Sequence, residues 1–206
     1  MQRQKPGRKQ SASSMNRRKA PESKKIILEA AGEVFAERGY SGTTIREVTR
    51  RAGISIGGIY IYFRNKEELY LELTRDHMET FRKHTEMLRD KEPLAALNAL
   101  IEYHLDYAIK NTGLISTHIK EYDLEFKKTL KKTFFDSQQR LVTGILKKGV
   151  MQGIFKDINC EETAEVILFS LRGATMDYLF GQIRDLKKYG ESLYQLILNG
   201  IRRKAA

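Results

Sequence analysis

Apolar residues recur every three or four positions along most of this chain, and strand-like alternation is absent. This pattern predicts an all-α fold of about nine helices. The first helix is expected from about Ser23 to Arg38, with Ser23 as its N-cap and Gly39 as a left-handed residue at its end. Its apolar face comprises Ile26, Ile27, Ala30, Ala31, Val34 and Phe35.

The stretch Thr43–Lys66 indicates two short helices joined by a tight turn. Thr44 and Glu47 have the spacing of a capping box, which starts the first of the two helices. Gly53 ends that helix, and Ser55 caps the next one. Two short helices around a glycine turn are typical of a helix-turn-helix. Such a segment provides a surface for binding rather than a set of catalytic groups.

The rest of the chain also reads as helical. Asn65 and Glu68 form a second capping box, which opens a long helix to about Leu88. Pro93 and Asn159 mark two further helix starts. The expected helices beyond the long one cover about residues 93–110, 113–122, 124–150, 159–182 and 186–203.

The charge of the chain is concentrated at its N-terminus. Of the net charge of +11, residues 1–25 contribute nine Lys/Arg against one acid, whereas residues 26–70 contain six of each. Residues 1–23 have little to bury and are predicted to be a disordered basic arm, which suits a polyanion such as nucleic acid. The alternative is a solubilising leader, with Met15 as another start.

Several classes of protein are not indicated. A single cysteine, Cys160, fits a reducing compartment, and the chain shows neither a secretory signal nor a transmembrane stretch, so a cytoplasmic location is expected. Among the four histidines only His77 and His84 share a helix, two turns apart, which is too far for one metal ion. We therefore expect no metal, no cofactor and no enzymatic activity.

The segment from about Lys24 to Leu71 resembles the DNA-binding domain of the TetR family of bacterial transcription regulators. The motifs that carry the resemblance are A-x-x-x-F-x-x-x-G-Y (Ala31, Phe35, Gly39, Tyr40), T-T-x-R-x-V (Thr43, Thr44, Arg46, Val48), A-G-x-S (Ala52, Gly53, Ser55) and G-x-Y-x-Y-F-x-N-K-E-x-L (Gly58, Tyr60, Tyr62, Phe63, Asn65, Lys66, Glu67, Leu69).

The resemblance implies a homodimer that binds a palindromic operator and is released by a small-molecule effector. Residues 24–71 would form the DNA-binding domain, and residues 72–206 a helical domain for effector binding and dimerisation. Most relatives are repressors. The alternative is a helical sensor or interaction module without sequence-specific DNA binding, and the operator, effector and sign of regulation stay open.

Nine residues are predicted to contact DNA. A recognition helix presents its N-terminal residues to base edges in the major groove, where Ile56 can touch a thymine methyl. Tyrosine hydroxyls, Lys66 at a helix N-terminus and Thr44 are candidates for phosphate, and Arg46 for base or phosphate. Thr44 can instead serve only as a cap, and one tyrosine can pack inward. The predicted residues are Thr44, Arg46, Ser55, Ile56, Gly57, Gly58, Tyr60, Tyr62 and Lys66.

The C-terminal half contains many aromatic residues, which suit a core or a cavity for a hydrophobic or aromatic effector. Arg172 stands in an apolar run and needs an acidic partner or an opening. The predicted effector residues are His104, Tyr107, Tyr122, Phe126, Phe169 and Arg172. The predicted dimer contacts, from small residues and the last helix, are Ser170, Gly173, Ala174, Tyr194, Ile197 and Ile201.

Overall fold

A computed structural model describes residues 20–120 and 128–202, and over these ranges the chain forms nine α-helices and no β-sheet. The all-α prediction is confirmed. The helices are α1 (Ala20–Gly42), α2 (Ile45–Ala52), α3 (Ile56–Ile59), α4 (Lys66–Glu86), α5 (Pro93–Lys110), α6 (Thr112–Lys120), α7 (Lys128–Met151), α8 (Cys160–Leu179) and α9 (Leu186–Ile201).

The first helix starts earlier than predicted. It begins at Ala20, so Ser23 lies inside the helix and the prediction that Ser23 is its N-cap is wrong. Pro21 explains the extension, because the first turn of a helix needs no N–H at that position and favours the φ of proline. The break at Gly39 is confirmed, since its φ of 70° kinks the chain there.

The buried residues form two hydrophobic clusters. One joins α1, α2 and α3 to the first half of α4, which contributes Leu69, Tyr70 and Leu73. The other is built from α5, α7, α8 and α9. Because α4 reaches from the first cluster towards the second, the domain boundary predicted at residue 71 falls within a continuous helix.

A short helix of the C-terminal half docks on the N-terminal domain. Gly113 of α6 lies so close to α1 that a Cβ atom there would stand 2.6 Å from the Cβ of Ala36. Four residues later, the Thr117 hydroxyl donates a hydrogen bond of 2.9 Å to the carbonyl of Phe35. The α6 helix is therefore the closest physical link between the larger cluster and the helix-turn-helix.

Candidate functional site

Local hydrogen bonds fix the geometry of the helix-turn-helix. The Thr44 hydroxyl accepts from the Glu47 N–H at 3.3 Å, and the Glu47 carboxylate accepts from the Thr44 N–H at 3.0 Å, so the capping box is confirmed. Gly53 adopts the left-handed conformation (φ 67°, ψ 30°) that ends α2. Ser55 caps α3 by accepting from the Gly58 N–H at 3.1 Å.

The recognition segment exposes a mostly uncharged surface. Ile59 and Phe63 are buried in the domain core, which turns the opposite side of α3 outwards. Tyr62 is half-buried against the same core, so of the two tyrosines it is Tyr60 that faces solvent. The exposed residues of this surface are Ser55, Ile56, Gly57, Tyr60 and Ile61.

The two predicted glycines lie in different surroundings. A side chain at Gly57 would meet no atom within 4 Å, so close packing inside the protein does not require glycine there. A Cβ at Gly58 would stand 3.2 Å from the Ser55 hydroxyl oxygen, and therefore press on the helix cap. Gly57 thus leaves the tip of α3 open to a close approach from outside.

Two arginines of α2 are available for an outside partner. Arg46 and Arg50 are both exposed and lie four residues apart, which puts them on the same side of the helix. Within the described ranges neither forms an ion pair, and the sequence analysis missed Arg50. Nearby cations are committed to the domain: Arg38 with Glu47 (2.7 Å), and Arg51 with Glu33 (2.7 Å) and Glu37 (2.9 Å).

Two predicted phosphate contacts are already engaged within the domain. The Thr44 hydroxyl donates to the Glu47 carboxylate at 2.9 Å, a bond that lowers the pKa of Glu47. The Lys66 ammonium donates to the carbonyls of Tyr40 (2.8 Å) and Thr43 (3.0 Å). Lys66 therefore joins the start of α4 to the end of α1, and the structure does not support its predicted phosphate contact.

A cavity of about 180 Å³ lies among α5, α7 and α8. Three of the predicted effector residues, His104, Phe169 and Arg172, line it together. The sequence analysis missed the remaining wall, although the adjacent Phe134 and Phe135 were visible as an aromatic pair. The missed residues are Phe134, Phe135, Gln138, Gln139, Glu165 and Leu168.

Arg172 is held among aromatic rings at the edge of this cavity. Its guanidinium carbon lies 4.6 Å from the ring centre of Phe135 and 4.3 Å from that of Phe169, within the range of cation–π attraction. Its Nε–H donates to the Leu168 carbonyl at 3.2 Å. The cavity thus combines apolar walls with one positive charge.

His104 presents a neutral imidazole to the cavity. Burial and the positive charge of Arg172 lower the pKa of His104 to about 4. Its ring also meets the ring of Phe81 edge-on, with the centroids 5.6 Å apart. At neutral pH this side chain is therefore a polar but uncharged group on a largely aromatic wall.

The other predicted effector residues lie outside this wall. Tyr107 contacts Phe81 and makes a 2.7 Å hydrogen bond to Nδ1 of His77, and it does not line the cavity. Burial raises the pKa of Tyr107 and lowers that of His77, as expected for two neutral partners. Tyr122 and Phe126 fall outside the described residues.

Acid is expected to destabilise the fold through His104. Its folded pKa is below the ordinary value near 6.5, so the unfolded chain takes up the proton first as the pH falls. The free energy of unfolding should be unaffected above about pH 7 and fall between pH 6.5 and 4, by at most about 3 kcal/mol. Denaturant unfolding at several pH values measures this loss. The variant H104Q should reduce it, with H84Q, at an exposed histidine, as the control.

The predicted dimer contacts divide between the surface and the interior. Gly173 is exposed, whereas Ser170, Tyr194 and Ile197 are half-buried. Ala174 and Ile201 are buried in the core of the protomer itself, so their assignment to the interface is wrong. The exposed face of α8 carries a different set, spaced by three and four residues: Val166, Phe169, Gly173, Met176 and Phe180.

The described residues offer neither a metal site nor a membrane span. In these ranges no three His, Cys, Asp or Glu side chains are grouped as metal ligands. No helix that the structure describes is sufficiently long and apolar to cross a bilayer.

The fold and the helix-turn-helix define a DNA-binding transcription regulator, and comparison with known proteins agrees. Residues 27–73 match the family "Bacterial regulatory proteins, tetR family". The HTH-type transcriptional regulator YhgD of Bacillus subtilis (strain 168) is 30% identical over 155 residues, which cover 70% of this chain and 78% of that protein. The chain belongs to the TetR family, as the sequence motifs predicted.

Two further similarities extend over most of the chain. The fatty acid metabolism regulator protein of B. subtilis (strain 168) is 26% identical over 185 residues, covering 86% of this chain and 95% of the relative. The crystal structure of the transcriptional regulator FadR from B. subtilis in complex with stearoyl-CoA superposes with a TM-score of 0.73 at 25% identity, covering 86% and 99% of the two chains. Both similarities include the C-terminal helices and favour a ligand-responsive regulator over a helical module without sequence-specific DNA binding.

Proposed function

We propose that this TetR-family regulator is a repressor that binds a palindromic operator as a homodimer. In this proposal α2 and α3 of each subunit enter the major groove, and an effector in the C-terminal cavity releases the DNA. The observation that carries the proposal is the exposed tip of α3, with Arg46 and Arg50 beside it. A surface that is neutral at its tip and cationic at its side suits base contacts flanked by phosphate contacts.

Arg46 and Arg50 supply the test of the DNA-binding surface. With DNA that the full chain selects from a random-sequence library, R46A is expected to weaken binding about tenfold, within the usual cost of one lost contact. If Arg46 neutralises a phosphate, the slope of log affinity against log salt should also fall by about one. R184A, at an exposed arginine far along the chain, is the control. Unchanged binding by both R46A and R50A would contradict the assignment.

The homodimer is proposed from the exposed face of α8. Val166, Phe169, Met176 and Phe180 leave between 41% and 64% of their surface in solvent, and Leu196 of α9 leaves 71%. Apolar residues at intervals of three and four form a seam that a second helix can cover. Two copies of the chain would bury these seams against each other and bring the two recognition helices to one operator.

We infer that the effector carries an apolar chain and an acidic group, and we propose a fatty acyl-CoA as its class. The walls contributed by Phe134, Phe135 and Leu168 suit an alkyl chain, and Arg172 suits a carboxylate or phosphate. The fatty acid metabolism regulator of B. subtilis and the structure of FadR with stearoyl-CoA support this choice.

Acyl-CoA esters of increasing chain length test the effector class. Each added methylene should strengthen binding about fourfold until the cavity is filled, because it buries one more apolar group. R172Q should weaken binding tenfold or more through loss of a charged hydrogen-bond donor, whereas R184Q should not. Calorimetric titration and release of labelled operator measure the two effects. Affinities that do not vary with chain length would exclude an acyl ligand in this cavity.

A further inference from the structure

Ile61 is the most exposed large apolar side chain of the DNA-binding domain, at 75% of its surface. It follows α3 directly, between the exposed Tyr60 and the half-buried Tyr62. A single exposed isoleucine on a surface is ordinary. Here, however, Ile56 is also exposed, at 44%, so the recognition segment presents two branched apolar side chains on the surface proposed for DNA.

The same surface has few groups that can form hydrogen bonds with bases. Gly57 offers no side chain, and the Ser55 hydroxyl accepts the Gly58 N–H as a helix cap. Tyr60 contributes one phenol. The paired polar groups with which proteins read guanine or adenine, such as those of Arg, Asn or Gln, are absent from the exposed residues 55–61. Sequence discrimination by this surface must therefore come largely from apolar contacts.

The 5-methyl group of thymine is the apolar feature that base edges present in the major groove. We propose that Ile61 is a specificity-determining residue that packs against a thymine methyl in each half of the operator. Gly57 lies one helical turn before Ile61 and, without a side chain, lets this part of the surface come close to the bases. The inference rests on the proposed function, because it requires that the recognition segment enters the major groove.

Deoxyuridine lacks only the 5-methyl group and leaves every hydrogen-bonding group of thymine in place, so it isolates the proposed contact. The operator is first selected from a random-sequence DNA library with the full chain. Each thymine is then replaced by deoxyuridine at the equivalent positions of both half-sites, and the affinity is measured at constant salt. Loss of one buried methyl contact per half-site should weaken binding about fifteenfold, from about fourfold for each.

The variant I61A separates this contact from other effects of the methyl group. Because Ile61 is exposed, I61A should unfold at the same temperature as the original protein, while its loss on deoxyuridine substitution falls below about twofold at one thymine position. M151A, which changes an apolar residue that is 87% exposed at the end of α7, should keep the full loss. The inference is overturned if no thymine responds, or if I61A responds as strongly as the original protein. If the library yields no preferred sequence, the proposed function fails together with it.

Discussion

Replacing Gly173 with arginine (G173R) is expected to convert the regulator from a dimer to a monomer and to weaken operator binding at least a thousandfold. The protomer itself can accept the change, because a side chain at Gly173 meets no atom within 4 Å. In the proposed dimer, however, Gly173 lies in the middle of the apolar seam of α8. A bulky charge there would be buried without a partner and hold the two helices apart.

The loss of DNA affinity follows from the loss of the second recognition helix. Two linked half-site contacts strengthen binding by a factor of 100 to 10,000 over one contact alone. Sedimentation or light scattering would report the mass, and operator titration the affinity. G144R, at another exposed glycine with open space around it, is the control. A dimeric G173R protein with normal affinity would place the interface elsewhere.

Sequence patterns were most informative where a local rule determines the structure. The capping boxes and Gly53 depend only on neighbouring residues, so their spacing located α2 and α3 correctly. Ser23 failed because another local rule, the preference of Pro21 for the first turn, started the helix earlier. Lys66 failed because its partners, the carbonyls of Tyr40 and Thr43, come close only in the folded domain.

Helices that are apolar on two sides were harder to interpret. The face of α8 that includes Ala174 packs into the protomer, while the face that includes Phe169 is open to solvent. Periodicity shows both faces but does not tell which one meets the protein's own core. Tyr107 illustrates the same limit, since its position on α5 suits a cavity as well as a hydrogen bond to His77. These assignments depend on contacts between helices distant in sequence.

Communication between the cavity and the DNA-binding surface requires a physical link, and α6 provides it. The α5 helix carries His104 of the cavity wall and is followed directly by α6, which docks on α1. The Tyr70 hydroxyl and Nδ1 of His118 add a 2.7 Å hydrogen bond between α4 and α6. An effector that favours another position of α5 would shift α6 and, with it, the recognition helices.

Replacing Gly113 with valine (G113V) is therefore expected to damage both stability and coupling. Its Cβ would overlap that of Ala36 at 2.6 Å and press on backbone atoms of α1 at 3.2 Å, so the two helices must separate. Such overpacking should cost about 3 kcal/mol in the free energy of unfolding. It should also make operator binding insensitive to effector. Denaturant unfolding measures the first effect and effector-dependent operator release the second, with G144V as the control.

A paired substitution tests whether the contact between Gly113 and Ala36 is the cause. G113A alone should be destabilising, because its methyl group would meet the methyl group of Ala36. A36G removes that methyl group, so the double variant should be about 1 kcal/mol more stable than the sum of the two single effects predicts. Recovery should stay partial, since the carbonyl oxygen and Cα of residue 36 remain 3.2 Å from the new methyl. Strictly additive effects would show that Gly113 is required for another reason, and α6 would lose its place as the link between effector and DNA.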